Sequence, residues 1–272
     1  MSPARTPSHL LPLDVDRLRR VCMTLRNIGP IEVVEETEST HADLMTMAAN
    51  GAEDGTVLIA ENQTNGRGRS GRVWISQQYT DVIISYLARV PLPADRMPTV
   101  NFHMGLAVSD ALQQLCGNNL KLKWPNDLLI YDKKVGGILA ESHVPPGNLA
   151  NAYAVISLGL NVNTELADLP APVNEEATTI ATYMKRPMDR TAILLKILDA
   201  LDFYRTEMVH GEVPAERWNS RAAWVGETVT VNQERKKVSG KLRGIRQDGA
   251  LELIGDSGQI VAVTHGDLLR RA

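Results

Sequence analysis

The sequence predicts an α+β fold in two unequal parts, a larger one of mixed strands and helices and then a small β module of the kind that forms an SH3-like barrel. Three observations lead there. Up to residue 224, apolar runs of strand length mix with apolar patterns at helical spacing, without the steady alternation of a doubly wound sheet. After Trp224-Val225-Gly226 the pattern changes to short strands separated by turns. The 272 residues, 43% hydrophobic and 22% charged, are enough for a sizeable core in about two domains. The expected division is an N-terminal arm and short helix over 1–30, a main domain over 31–224 and the small β domain over 225–272.

Up to about Asp14 the chain carries Pro3, Pro7 and Pro12 and reads as a mobile arm. Asp14 caps a short helix with apolar positions Val15, Leu18, Val21, Cys22 and Leu25, which Gly29-Pro30 stops. Ile31 to Glu35 reads as a strand. Thr40 and Asp43 have capping-box spacing ahead of a helix through Leu44, Met47 and Ala48, which Asn50-Gly51 ends. Thr56 to Glu61 is a buried strand by its apolar run. Val73 to Ser76 and Asp81 to Val90 are strand-like, and a helix from about Pro98 to Leu115 follows.

Lys121 to Trp124 alternates as a strand. Leu128–Tyr131 and Val135–Ser142 flank a turn at Asp132-Lys133-Lys134 as a hairpin, and Tyr153–Leu160 is a further strand. Residues 164–177, with Pro170 and Pro172, read as a loop. Thr178–Met184 reads as a short helix, and Asp189 caps a long amphipathic one through Ile193, Ile197, Leu201 and Tyr204. The small module holds strands at Thr228–Val231, Val238–Arg246, Ala250–Ile254 and Gln259–Thr264.

Composition removes several classes. The net charge of −3 argues against a general nucleic-acid binder. Two cysteines far apart in helical patterns read as buried thiols in a reducing cytoplasm. No apolar run reaches the roughly 18 residues of a membrane span, and no signal peptide is visible. Residues 1–30 offer one helix where a DNA-binding module would need several.

Chemistry concentrates in Gly66-Arg67-Gly68-Arg69-Ser70-Gly71-Arg72-Val73-Trp74. Alternating glycines let successive N–H groups face one anion, and guanidinium forks suit carboxylate or phosphate. The G-x-G-x-x-G at Gly66, Gly68 and Gly71 is not a dinucleotide fingerprint, because Val73-Trp74-Ile75 continues as a strand where a helix should open. It is not a P-loop, because Arg72-Val73 stands in place of Lys-Ser/Thr. Gly255-Asp256-Ser257-Gly258 resembles a protease nucleophile segment but sits between strands as a turn. The six histidines show no close metal spacing.

The ensemble is more specific than any part. Ser39-Thr40 precedes a helix, and Gln63 and GRGRSGRVW follow a buried strand. KWPND spans Lys123–Asp127, GGILAE spans Gly136–Glu141, GLNVN spans Gly159–Asn163, and a small β module completes the chain. Over roughly residues 31–272 the chain resembles the biotin protein ligases, also called biotin–[acetyl-CoA-carboxylase] ligases, in the short form without a DNA-binding domain.

The resemblance implies a catalytic domain of the class II aminoacyl-tRNA-synthetase and biotin-ligase type, a mixed β-sheet flanked by helices, with a small SH3-like β-barrel as the C-terminal domain. It implies that biotin's carboxylate attacks the α-phosphate of ATP, giving biotinyl-5′-adenylate and pyrophosphate, and that a lysine of a biotin carboxyl carrier domain then displaces AMP. On that resemblance Ser39, Thr40, His41 and Gln63 hold the ureido end of biotin, and Gly66, Arg67, Gly68 and Arg69 fold over biotin and the adenylate phosphate. Lys123 supplies charge between carboxylate and phosphate, and with Arg69 it forms the catalytic pair. Arg72, Trp74 and Asn161 lie at the nucleotide, and Gly137 and Gly159 let backbone approach the ligand. Magnesium accompanies ATP, with Asp127 a candidate ligand.

Two positions depart from the family's pattern: His41 stands where Ser-Thr-Asn is usual, and Ser157 opens the segment usually written Gly-x-Gly-x-Asn. The further expectations are a carboxylase carrier domain as partner, no DNA or membrane, a cytoplasmic location, and a homodimer left open. Alternatives are a lipoate ligase or octanoyl transferase of the same fold, or a non-enzymatic biotin-responsive regulator. Ordering nine loop residues costs on the order of 10 kcal/mol, so the loop is expected to be a flap that orders with ligand.

Overall fold

Alternation within the apolar runs decides the layering. In the computed structural model, which describes residues 11–234 and 236–270, seven strands form one sheet. They are β1 (Ile31–Thr37), β2 (Val57–Gln63), β5 (Val82–Ala88), β6 (Leu120–Lys123), β7 (Asp127–Ile130), β8 (Lys133–His143) and β9 (Tyr153–Leu160). Their order is β1-β2-β5-β9-β8-β7-β6. Only β1 and β2 run parallel, so the sheet is mixed, as expected. Between β2 and β5 lies a minimal hairpin of β3 (Gly66–Arg67) and β4 (Val73–Trp74).

One face of the sheet carries Val57, Ile59, Val82, Ile84, Ile156 and Leu158 into the main core. There it meets α3 (Val100–Ala111) and, outside it, α7 (Arg190–Met208), with α1 (Val15–Cys22) lying on α7. The alternate residues Leu58, Leu87 and Val155 face the other way, onto Leu44 and Ala48 of α2 (Thr40–Ala49). The i, i+4, i+8 spacing of Thr40, Leu44 and Ala48 aligns one stripe of α2 with that face. Asp189 caps α7 by accepting the Ala192 N–H at 3.0 Å, as predicted.

Shorter helices complete the first part: α4 (Gln113–Cys116), α5 (Val173–Glu176), α6 (Ile180–Met184) and α8 (Ala215–Asn219). The C-terminal part is a five-stranded antiparallel sheet of β10 (Thr228–Asn232), β11 (Lys237–Ile245), β12 (Leu251–Ile254), β13 (Ile260–Val263) and β14 (Asp267–Arg270). β14 pairs back onto β10 and carries Asp267 toward the first part. The Trp124 indole N–H donates to the Gly249 carbonyl at 3.0 Å, tying the turn between β11 and β12 to the first part, and the Ala223 N–H donates to the Leu122 carbonyl at 2.9 Å on the segment that leads to β10.

Several expectations need correction. Of the two candidate capping hydroxyls Ser39 is the N-cap of α2, with its side chain toward the Ala42 N–H, while Thr40 turns to Gln63 instead of closing a box with Asp43. Leu11 to Asp14 are not a free arm: Leu13 is buried, its N–H donates to Glu61 at 2.6 Å, and Arg190 donates to the Leu11 carbonyl at 2.7 Å. Arg190 also pairs with Glu61 at 2.7 Å with both side chains buried. The rest of the expected arm, with Pro3 and Pro7, lies outside the described residues. The helix after Pro98 starts at Val100 and breaks at Leu112. The loop 164–177 contains the single helical turn α5, and β14 and α8 were not foreseen. Gly255-Asp256-Ser257-Gly258, by contrast, is the expected turn between β12 and β13, with Gly258 at φ +80°.

Cys22 and Cys116 are free, buried thiols whose pKa values burial raises to about 11. Among the described residues no helix is long and apolar enough to cross a membrane.

Candidate active site

A cleft of about 630 Å³ opens on the α2 face of the large sheet, within the size range of small-molecule sites. The β3–β4 hairpin loop and residues Asp267–Leu269 of β14 form part of its wall. Its chemistry changes along the sheet. On the β2–β5–β9 side the groups are neutral, and on the β6–β7–β8 side they are charged.

The neutral side is a hydrogen-bonded cluster. Gln63, the last residue of β2, accepts from the Thr40 N–H at 2.9 Å and the Thr40 hydroxyl at 3.1 Å. Ser85 donates to Thr40 at 2.8 Å and lies 2.7 Å from Ser157. His41 Nδ1 lies 2.7 Å from Ser157. The two positions that depart from the family pattern therefore touch each other. His41 is buried, and burial lowers its pKa against the partial opposition of Glu141, so the imidazole is neutral near pH 7.

The charged side is built on one carboxylate. Asp127, at the start of β7, receives Lys134 at 2.6 Å and Lys123 at 3.3 Å. Burial works to raise its pKa, but the two ammonium groups outweigh burial and hold it below the usual range. Lys123 also lies 5.7 Å above the Trp224 ring. No group of three or more His, Cys, Asp or Glu among the described residues could hold a metal ion.

The loop closes over this side through arginines. Gly68 N–H donates to Arg72 at 2.7 Å, and a single turn at Arg69–Gly71 puts Ser70 and Gly71 at φ +54° and +73°. A left-handed pair is a position where glycine is favoured, and Gly71 supplies it. Arg69 donates to Asn126 at 2.9 Å, while Arg72 binds both oxygens of Asp267 at 2.7 and 2.6 Å. Trp74 lies flat on the sheet: a Cβ on Gly159 would be 2.7 Å from its Cζ2, and one on Gly137 3.4 Å from its Cζ3.

Residues 32–163 match the biotin/lipoate A/B protein ligase family, and residues 225–269 match the biotin protein ligase C terminal domain. A biotin–[acetyl-CoA-carboxylase] ligase of Mycobacterium tuberculosis is 34% identical over 247 residues, 88% of each chain. The chain belongs to the biotin protein ligase family. The bifunctional ligase/repressor BirA of Bacillus subtilis is 32% identical over 229 residues, 84% of this chain and 69% of the relative. The biotin protein ligase of Aquifex aeolicus in complex with biotin and ATP superposes with a TM-score of 0.75 at 28% identity, over 90% of this chain and all of that one.

Within this biotin ligase fold, nearly all the residues singled out from sequence face one cleft: Ser39, Thr40, His41 and Gln63 on the neutral side, Arg69, Arg72, Lys123 and Asp127 on the charged side. Arg67 and Gly68 line it as well. Gly66 does not. Its place in the hairpin is explained by packing, since a Cβ there would lie 2.8 Å from Gln63 Nε2. Gly137 and Gly159 line the cleft too, and both make room for the Trp74 indole. Asn161 lines the cleft but also donates to the Thr178 carbonyl at 3.2 Å, which anchors the segment after α5.

Four residues of this ligase site had no role assigned from sequence. Asn126 lay inside the quoted KWPND motif, and Lys134 in the hairpin turn. Ser85 is the lone polar residue in the buried run Val82–Leu87, a pattern that could have marked it. Asp267 carries no local signal, because only the return of β14 onto β10 brings it to the loop.

Proposed function

We propose that this biotin protein ligase activates biotin with ATP and transfers it to a lysine of a biotin carboxyl carrier domain. The observation that carries the reading is the division of one cleft into a neutral hydrogen-bonding side and a cationic side beneath an arginine-bearing loop. A cyclic urea is neutral and rich in donors and acceptors. A carboxylate meeting a triphosphate is crowded negative charge. The two sides match the two halves of that reactant pair.

In the first step a carboxylate oxygen of biotin bonds to the α-phosphorus and the bond to pyrophosphate breaks. Lys123, with Lys134 beside it, can exchange Asp127 for these oxygens, and Arg69 adds a second cation from above. Preorganised charge of this kind favours the transition state without a covalent enzyme intermediate. In the second step the carrier lysine's amine bonds to the carbonyl carbon, AMP leaves with the anhydride oxygen, and the amine gives up a proton. Trp74, Arg72 and Asn161 border the space assigned to the nucleotide. Magnesium enters with ATP as part of the substrate. Asp127 has both its oxygens engaged by ammonium groups, which leaves neither free for a protein-bound metal.

Biotin-dependent ATP–pyrophosphate exchange tests the reading. Wild type should exchange with biotin and not with lipoate, and Lys123→Ala should lower the rate about 100-fold, as removal of a preorganised charge does elsewhere. Exchange with lipoate alone would replace the reading with a lipoate ligase. Exchange untouched by Lys123→Ala would overturn the role given to Lys123.

A further inference from the structure

The hydrogen bonds at the neutral side of the cleft form a single file, and their protons can be counted. Ser85 and Ser157 face each other in register on β5 and β9, and α2 lays Thr40 and His41 over them. Four contacts join five groups. Thr40 Oγ1 meets Gln63 Oε1 at 3.1 Å, Ser85 meets Thr40 at 2.8 Å, Ser157 meets Ser85 at 2.7 Å, and His41 Nδ1 meets Ser157 at 2.7 Å. The Thr40 N–H donates to the same Gln63 atom at 2.9 Å, which fixes that atom as the oxygen and so as an acceptor only.

Three hydroxyls carry three protons. They fill the first three contacts only when every one points toward Gln63. The fourth contact then needs its proton from His41. If Ser157 donated to His41 instead, one pair of oxygens would be left in contact with no proton between them. Ser85 is fully buried, so no water is at hand to relieve such a pair.

The other ring nitrogen faces a carboxylate. With the proton on Nδ1, the other ring nitrogen is a bare lone pair. His41 Nε2 is buried and meets the Glu141 carboxylate, with Oε2 at 3.4 Å, a longer contact than the 2.7 Å from Nδ1 to Ser157. A proton on Nε2 would have that carboxylate in reach, so the proton count along the file is what places the proton on Nδ1.

We propose that His41 is a positioning residue: donating from Nδ1 to Ser157, it turns the whole file of protons toward Gln63. The second lone pair of the Ser157 oxygen then faces the cleft as an acceptor, and this side takes a ligand that offers an N–H. The inference rests on the biotin reading, since a cyclic urea carries two N–H groups while a dithiolane ring or an alkyl chain carries none. It makes His41 and Ser157 one specificity-determining unit.

The test uses the full chain labelled with nitrogen-15 at histidine. Long-range proton–nitrogen spectra near pH 7, with the His41 signals identified by their loss in His41→Asn, should show a neutral ring protonated at Nδ1. A ring protonated at Nε2, or at both nitrogens, overturns the proposal. Biotin titrations of pyrophosphate exchange supply the second readout. His41→Ala and Ser157→Ala should each raise KM for biotin about tenfold, the effect of one lost hydrogen bond, with the change falling on KM rather than kcat. The double variant should also be raised about tenfold, because the two act as a unit. A double variant raised about 100-fold, or effects confined to kcat, would contradict the coupling. Wild type that performs no exchange with biotin would overturn the functional reading instead, and the tautomer spectrum would still decide the proton order.

Discussion

Asp267 belongs to the C-terminal sheet, yet it holds the arginine loop of the first part, and removing it should open that loop. Arg72 contacts both carboxylate oxygens, at 2.7 and 2.6 Å, and Arg69 Nη1 stands 3.9 Å away. The Arg72 and Asp267 side chains are 56% and 46% exposed, so solvent screens the pair. Exposed pairs contribute roughly 0.2–1 kcal/mol, and the two-point contact puts this one near the top, about 1 kcal/mol. That corresponds to about a fivefold change in the ratio of closed to open loop. Limited tryptic cleavage at Arg67, Arg69 and Arg72 reports the open population when opening is fast relative to cleavage. For Asp267→Ala we expect cleavage about fivefold faster at low salt, with the difference shrinking near 1 M salt, where the Debye length is about 3 Å. The exchanged pair Arg72→Asp with Asp267→Arg should restore protection that either change alone removes. Equal cleavage of wild type and Asp267→Ala at low salt would refute the latch.

Three further outcomes are expected. Arg69→Ala should form the adenylate but release it to solvent faster, measured as free biotinyl-adenylate per turnover; retention equal to wild type would refute closure through Arg69. Gly159→Ala should push the Trp74 indole off the sheet, since the new methyl would sit 2.7 Å from Cζ2, and shift tryptophan emission to the red; the shift should vanish in a Trp74→Phe background. His103 is fully buried, donates from Nδ1 to the Thr99 carbonyl at 3.0 Å, and has its pKa lowered by burial to about 4. Its folded value lies below the unfolded one, so the unfolded chain binds more protons between about pH 6.5 and 4, and stability falls as pH drops through that window. At pH 5 the loss is about 2 kcal/mol, and the stability gap between wild type and His103→Gln should narrow accordingly between pH 7 and 5.

The strands and long helices were legible because burial on one face or two leaves a period in the sequence. The run Val57–Ala60 and the 3.6-residue spacing of α7 both show it. The motifs were legible for a related reason: a loop that must reach φ near +70° and carry cations has few residue types open to it, and Gly71 and its neighbours announce them. What stayed hidden depends on distant pairing. Asp267 reaches Arg72 across 195 positions of sequence, and Ser85 reaches Thr40 across 45. Nothing local records either meeting. Ser39 and Thr40 both offer a capping hydroxyl, and only the spacing to Asp43 pointed to Thr40. Tertiary contact with Gln63 claims Thr40 and leaves the cap to Ser39. Gly137 and Gly159 line the cleft, but that they also make room for Trp74 is a packing relation that only the hairpin creates.

Transfer to a carrier protein tests the central claim most directly. An isolated biotin carboxyl carrier domain, incubated with the full chain, biotin and ATP, should gain the mass of one biotinyl group on a single lysine, with one AMP released for each group transferred. A carrier that stays unmodified while wild-type protein is folded, or that gains a lipoyl group in preference to a biotinyl one, would contradict the assignment.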